Sequence, residues 1–180
     1  MSTIVSQLFV SVDGVVEAPE QWHFPYYDEE MAAAVSGQLD VADILLLGRR
    51  TYEVFAASWP GRSGQVPFAD RINSMPKLVA STTLTSPTWQ NTTVIRGPVP
   101  GELAALKQGP DRHITISGSL TLVRSLLRDN LLDELHLLIH PVVLGHGERL
   151  FADGGPTPLR LVHSATFATG VLHLIYYPVP

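Results

Sequence analysis

The stretch Ile44-Leu45-Leu46-Leu47-Gly48-Arg49-Arg50-Thr51-Tyr52-Glu53 decides the fold class. Four apolar residues in a row, with no polar alternation, mark a strand buried on both faces, as in a parallel sheet covered by helices. Gly48 ends the run, and Arg49 to Ala57 reads as a helix starting at the strand's carboxyl end. Outward from this unit the pattern repeats. Ile4 to Val12 is a β-rich run that stops at the turn signal Asp13-Gly14. Pro25 reads as the first residue of a helix running to about Asp40, with Asp28, Glu29 and Glu30 where a helix dipole favours negative charge. Phe68 to Ser74 reads as a short helical turn. Lys77 to Ala80, Thr92 to Ile95 and His113 to Ile116 read as short strands. Leu120, Val123, Leu126 and Leu127 have helical spacing, with Asn130 as the stop. Leu135 to Val143 returns to β character, and Leu159–Phe167 with Val171–Tyr177 predicts an antiparallel hairpin around Ala-Thr-Gly. The expectation is an α/β fold, with a mainly parallel central sheet and an antiparallel C-terminal hairpin at its edge.

The 180 residues suit one globular domain over 1–180, and 45% hydrophobic against 16% charged residues supplies a sizeable core. Net charge is −5, from 12 Lys+Arg and 17 Asp+Glu, which argues against a nucleic-acid partner. No cysteine is present, which excludes disulfides, thiolate metal sites and cysteine nucleophiles. No apolar run reaches the roughly 18 residues of a membrane span. The first residues lack the basic and apolar regions of a signal peptide, so the expected location is cytoplasmic.

Three strand ends carry groups suited to an anion, at the place where such sheets bind ligands. Gly48 lets a ligand approach the backbone, Arg49 and Arg50 offer guanidinium forks, and Thr51 adds a hydroxyl. Ser81 and Thr82 supply hydroxyls after the Lys77–Ala80 strand, though they equally make a simple turn. Ser117-Gly118-Ser119 exposes backbone N–H groups before the apolar helix, or is a plain serine N-cap. His136 and His140 fall on one face of a strand without an acid at ligand spacing, so packing or an interface outweighs a metal; no metal ligand set is expected. No Gly-x-Ser-x-Gly elbow is present.

Ser11-Val12-Asp13-Gly14-Val15, Gly48-Arg49-Arg50-Thr51-Tyr52-Glu53, Ser117-Gly118-Ser119 and His140-Pro141-Val142-Val143-Leu144-Gly145 stand in an order that resembles the dihydrofolate reductase-like superfamily. The set is most similar to the reductase domain of the bacterial riboflavin-biosynthesis deaminase–reductase and its stand-alone relatives. That resemblance implies the dihydrofolate reductase-like three-layer fold and an NADPH cofactor. Gly48, Arg49, Arg50 and Thr51 are implied along the adenosine phosphate side, and Ser81 and Thr82 near the ribose 2′-phosphate. Ser117, Gly118 and Ser119 are implied at the pyrophosphate, and the loop Asp13-Gly14-Val15-Val16 beside the nicotinamide. Ser117-Gly118 departs from the superfamily's Gly-Gly pair, and Leu122 stands where a tyrosine is frequent. The deaminase chemistry of the bifunctional relatives needs cysteine ligands that this chain lacks.

The substrate side is less determined. Asp28 is the candidate inward acid, sharing with Tyr27 a helix face with Met31 and Val35; its plainer role is first-turn charge. Trp22, Tyr27, Phe55 and Trp59 are candidate walls of a pocket for a planar substrate, or simply core. The leading expectation is an NADPH-dependent reductase of a small heterocyclic or carbonyl substrate, similar to the 5-amino-6-(5-phosphoribosylamino)uracil reductase domain. A dihydrofolate or pterin reductase is the enzyme alternative, and a non-catalytic nucleotide-binding module the other. A homodimer is expected from the resemblance and from the apolar C-terminal hairpin with Tyr176 and Tyr177.

Overall fold

The apolar run Ile44 to Leu47 is at most 3% exposed, and its alternation divides it between two layers. Ile44 and Leu46 enter one core cluster with Leu103, Val123 and Leu126. Leu45 and Leu47 enter another with Leu39, Tyr52 and Ile72. The computed structural model describes residues 1–151 and 155–179. Its elements are β1 (Thr3–Ser11), α1 (Glu29–Val41), β2 (Ile44–Gly48), α2 (Arg49–Ser58), α3 (Ala69–Ser74), β3 (Lys77–Ala80) and β4 (Thr92–Ile95). They continue with α4 (Val99–Gln108), β5 (His113–Ser117), α5 (Leu120–Arg128), β6 (Glu134–His140), β7 (Leu159–Thr166) and β8 (Leu172–Pro178).

The eight strands form one sheet in the order β4-β3-β2-β5-β1-β6-β8-β7. All pairs from β4 to β6 are parallel, and the hairpin β7–β8 joins β6 antiparallel. Helices α4 and α5 cover one face, while α1, α2 and α3 cover the other. The three-layer arrangement with an antiparallel edge is therefore as the sequence implies. The carboxyl ends of β2, β5, β1 and β6 lie side by side, which sets the stage for a ligand.

Four readings need correction. Helix α1 starts at Glu29, because Asp28 is its N-cap: the Met31 N–H donates to the Asp28 carboxylate at 2.8 Å. Pro25 instead lies in a 3-10 turn, Phe24–Tyr26, so Tyr27 is outside the helix and shares no face with Met31. Strand β6 stops at His140 rather than Val143, because Pro141 has no N–H for the ladder. Helix α4 is absent from the reading altogether. Pro98, Pro100 and Gly101 resemble a loop, yet proline is tolerated in a first helical turn. The signal was the spacing of Val99, Leu103 and Leu106, which turns Leu103 fully into the core.

Lys77 opens β3 and is 1% exposed. Its ammonium donates to the carbonyls of Asn73 and Met75 at 2.8 Å and of Gln90 at 3.2 Å. It also lies 4.3 Å from the Trp89 ring centre. Burial pushes its pKa down to about 8. This cation ties α3, the start of β3 and the 88–91 turn together.

Candidate functional site

Two strand ends interlock. A Cβ added to Gly48 would stand 2.0 Å from the Ser119 Oγ, and one added to Gly118 would meet the Thr51 side chain at 3.1 Å. Gly48 therefore makes room for Ser119 rather than for a ligand. Gly118 (φ 81°) and Ser119 (φ 62°) are successive left-handed residues that turn the chain from β5 into α5. The Ser117–Gly118 bond is trans. Neither α2, after Gly48, nor α5, after Ser119, has a side-chain cap. Among the described residues, their first-turn N–H groups thus have no side-chain acceptor, at two neighbouring positive helix ends.

Arg49 reaches across to the neighbouring strand end. Its guanidinium donates to Glu53 at 2.8 Å and to the Thr83 hydroxyl at 2.5 Å. Arg50 is exposed, with no hydrogen bond or ion pair among the described residues. Ser81 turns inward: its hydroxyl accepts from the N–H groups of Thr83 and Leu84. That is the simple-turn role, and Thr82 is left exposed at the tip. The Ser81 N–H donates to Ile95 at 3.2 Å. Beside Ile95 a groove of about 330 Å³ runs between β4 and α4, lined also by Leu78, Arg96 and Leu106.

The end of β1 is a clip. Asp13 accepts from the Ser11 hydroxyl at 2.6 Å and from the N–H groups of Leu144 and Gly145 at 3.1 and 2.8 Å. These bonds, the hydroxyl first, hold its carboxyl down to about 2. Gly14 (φ 85°) makes the turn, and Val15 packs against Gly147, where a Cβ would come within 2.8 Å of it. The loop after β1 is thereby bound to residues 142–150 by backbone bonds at Val12, Val16 and Leu150.

The four aromatic candidates separate into two groups. Phe55 on α2 and Trp59, which caps its C-terminus, pair at 6.1 Å around the core cluster of Tyr52 and Trp89. Trp22 and Tyr27 stand at the carboxyl ends of β1 and β6, against residues the sequence reading left aside. There His23 stacks on Phe9 at 4.7 Å, Tyr27 meets His23 at 6.0 Å, and Trp22 meets His140 edge-on at 5.1 Å. His140 is fully buried and His23 is 7% exposed. Among the described residues, the Nε2 of His140 and the Nδ1 of His23 have no hydrogen-bond partner. Burial lowers the pKa of both rings; His140 lowers that of His23 further, whereas the backbone carbonyls of Leu138 and Val10 oppose the shift at His140. The signal was available, since His23 follows Trp22 and His140 opens the Pro-Val-Val-Leu-Gly stretch. His136, on the same face, is paired with Glu134 at 2.9 Å, an acid the spacing argument overlooked.

This geometry has counterparts. The family model described as the RibD C-terminal domain matches residues 2–173. The chain belongs to the RibD C-terminal domain family. YyaP of Bacillus subtilis (strain 168), an uncharacterized protein, is 28% identical over 97% of this chain and 94% of its own. A putative riboflavin biosynthesis protein from Shewanella sp. PV-4 has the same fold, with a TM-score of 0.78 at 20% identity over the whole of both chains. Dihydrofolate reductase from Enterococcus faecalis, solved with NADP(H), has a TM-score of 0.65 at 13% identity, covering 99% of this chain and 97% of that one. As a RibD C-terminal domain, the chain belongs to a reductase family with the dihydrofolate reductase-like fold. Among the described residues, no helix of this RibD C-terminal domain is long and apolar enough to cross a membrane.

Proposed function

We propose that the chain is an NADPH-dependent oxidoreductase acting on a small heterocyclic or carbonyl substrate. NADPH, when bound, supplies the hydride, and the protein's part is to bind, orient and exclude water. The observation that carries the reading is the pair of uncapped helix N-termini, α2 and α5, locked together through Gly48–Ser119 and Thr51–Gly118. Two positive helix ends with uncapped N–H groups suit a pyrophosphate. Ser117, Gly118 and Ser119 line that cradle. Arg49, Arg50, Thr82 and Thr83 sit where a ribose 2′-phosphate is held by a guanidinium and hydroxyls. The adjoining groove at Ile95 and Arg96, about 330 Å³, has room for a base. Asp13, Gly14 and Val15 hold the floor beside the nicotinamide end.

A pterin substrate anchored by Asp28 has less support, because that carboxylate already accepts the Met31 N–H. A homodimer through the C-terminal hairpin, where Leu161, Leu172 and Tyr177 are exposed, and a cytoplasmic location belong to the same proposal. Titration with NADPH and NADH, followed by thermal stabilisation or tryptophan quenching, tests it. Saturable binding with NADPH preferred by about tenfold or more is expected, since binding to the folded state alone raises its stability. Binding of neither cofactor removes the reading.

A further inference from the structure

We propose that the C-terminal hairpin is an acid-released element: His136, His163 and His173, gathered on one face of β6, β7 and β8, let the hairpin lie on the sheet while neutral and drive it off when they take up protons. The device is independent of the reductase reading.

Strand register brings the three rings together. His173 on β8 stands opposite Leu138 of β6 and Ala165 of β7, and Ile175 stands opposite His136 and His163. Alternation along the strands puts all of these side chains on one face. His173 is therefore diagonal to both other histidines. Its ring centre lies 5.7 Å from that of His136 and 5.6 Å from that of His163. Phe167 closes a third side at 5.9 Å. Among the described residues, the His173 Nε2 has no hydrogen-bond partner, and it is shielded from solvent.

Among the described residues, no carboxylate is bonded to this central ring. Glu134 on β6 is engaged by the His136 Nε2 at 2.9 Å. Arg160 on β7 lies on the same face, 5.2 Å from the ring centre of Tyr177 on β8, and adds a further cation. The neighbour of His136 on β1 is Gln7, which is neutral. From α1, whose Met31 and Ala34 join the cluster of Leu138 and Phe167, Glu30 accepts the Ala168 N–H. His140, also on this face, turns to Phe9, Trp22 and Tyr26. Like charges on neighbouring strands repel. Burial first, then His136 and His163, push the His173 pKa down to about 4 from the ordinary 6.5. Between these values a freed His173 holds the proton and the seated one does not. Acid in that window therefore favours the lifted hairpin, and above it the effect is absent.

The hairpin is the element that such a force can move. Strand β7 is the last of the sheet and pairs with β8 alone. Its residues Arg160 to Ser164 are all exposed. Thinly buried edge units open at lower cost than core strands such as β2 and β5.

Hydrogen–deuterium exchange of the whole protein at pH 8, 6.5 and 5, read by mass spectrometry and normalised to the free-peptide rate at each pH, tests this. Protection of peptides covering β7 and β8 is expected to fall by about tenfold or more from pH 8 to 5, while those covering β2 and β5 keep theirs. In His173→Leu, or in His173→Gln should the first not fold, hairpin protection is expected to vary by less than about twofold over the same range. Hairpin protection that does not change with pH overturns the proposal, as does a loss spread evenly over the whole sheet. A full pH dependence in a folded His173 variant also overturns it. Cofactor plays no part in the readout, so a chain that binds no NADPH tests the hairpin equally well.

Discussion

The Ser119 hydroxyl occupies the space that a side chain on Gly48 would fill, with only 2.0 Å between its oxygen and the position of a Gly48 Cβ. The relationship couples the ends of β2 and β5, and with them the N-termini of α2 and α5. Gly48→Ala is expected to destabilise the protein by about 1–3 kcal/mol, the usual range for overpacking. It should also weaken NADPH binding, because the α5 turn moves. Adding Ser119→Gly removes the clash and relieves the left-handed backbone, so the double variant should recover most of both losses. Thermal unfolding and cofactor titration on the three proteins check this. A Gly48→Ala protein with normal stability would refute the interlock.

Arg49 separates the two nicotinamide cofactors if the 2′-phosphate lies beside Thr83. Arg49→Ala should weaken NADPH by about tenfold to a hundredfold, a charge-assisted hydrogen bond's worth, and NADH hardly at all. Equal losses for both cofactors would move the phosphate elsewhere. Arg50→Ala, measured in parallel, shows which of the two guanidinium groups carries the contact.

Asp28 distinguishes a helix cap from a substrate-binding acid. Asp28→Ala should cost about 1 kcal/mol of stability, while Asp28→Asn keeps the cap and the stability. Turnover, once a substrate is found, should survive in the asparagine variant. Loss of turnover with stability intact would restore the pterin reading.

Lys77 makes stability depend on pH in the alkaline range. Its folded pKa of about 8 lies below the ordinary 10.5, so between these values the unfolded chain holds the proton and the folded chain does not. Stability therefore rises with pH across that window, and this contribution is absent below it. Denaturant unfolding of the wild type and of Lys77→Met at pH 7.5, 9 and 10 should give a difference that grows with pH. Lys77→Met itself leaves the carbonyls of Asn73, Met75 and Gln90 without their donor and should be less stable at every pH.

The strands and α5 were legible because their apolar periodicity is local: Ile44 to Leu47 and Leu120 to Leu127 need no tertiary information to be recognised. The positions of the three strand ends were legible for the same reason, but the packing of Gly48 on Ser119 and the turn closed by Ser81 were not, because both depend on contacts distant from the strand pattern. Helix α4 was not, because Pro98, Pro100 and Gly101 are loop residues everywhere except in a first helical turn. The start of α1 was misplaced because an aspartate two residues after Pro25-Tyr26 serves a first turn or a cap equally well. Lys77 was read only as the first residue of a strand; its burial depends on carbonyls that the end of α3 and Gln90 bring to its ammonium. Trp22-His23 and His140-Pro141 mark the two histidines singly, but that a loop residue meets the last residue of β6 is a tertiary contact no spacing rule reports.

Asp13 has a mechanical consequence. It fastens the loop after β1 to the Leu144–Gly145 turn, and backbone bonds extend the seam to Leu150. Among the described residues, 18–27 carry no such seam: their backbone bonds close only on themselves, beginning at Ala18, whose φ of 45° marks the change of direction. The two segments over the end of β1 are thus held differently: one is laced to its neighbour by backbone bonds, the other rests on Phe9 and His140 through the rings of Trp22, His23 and Tyr26.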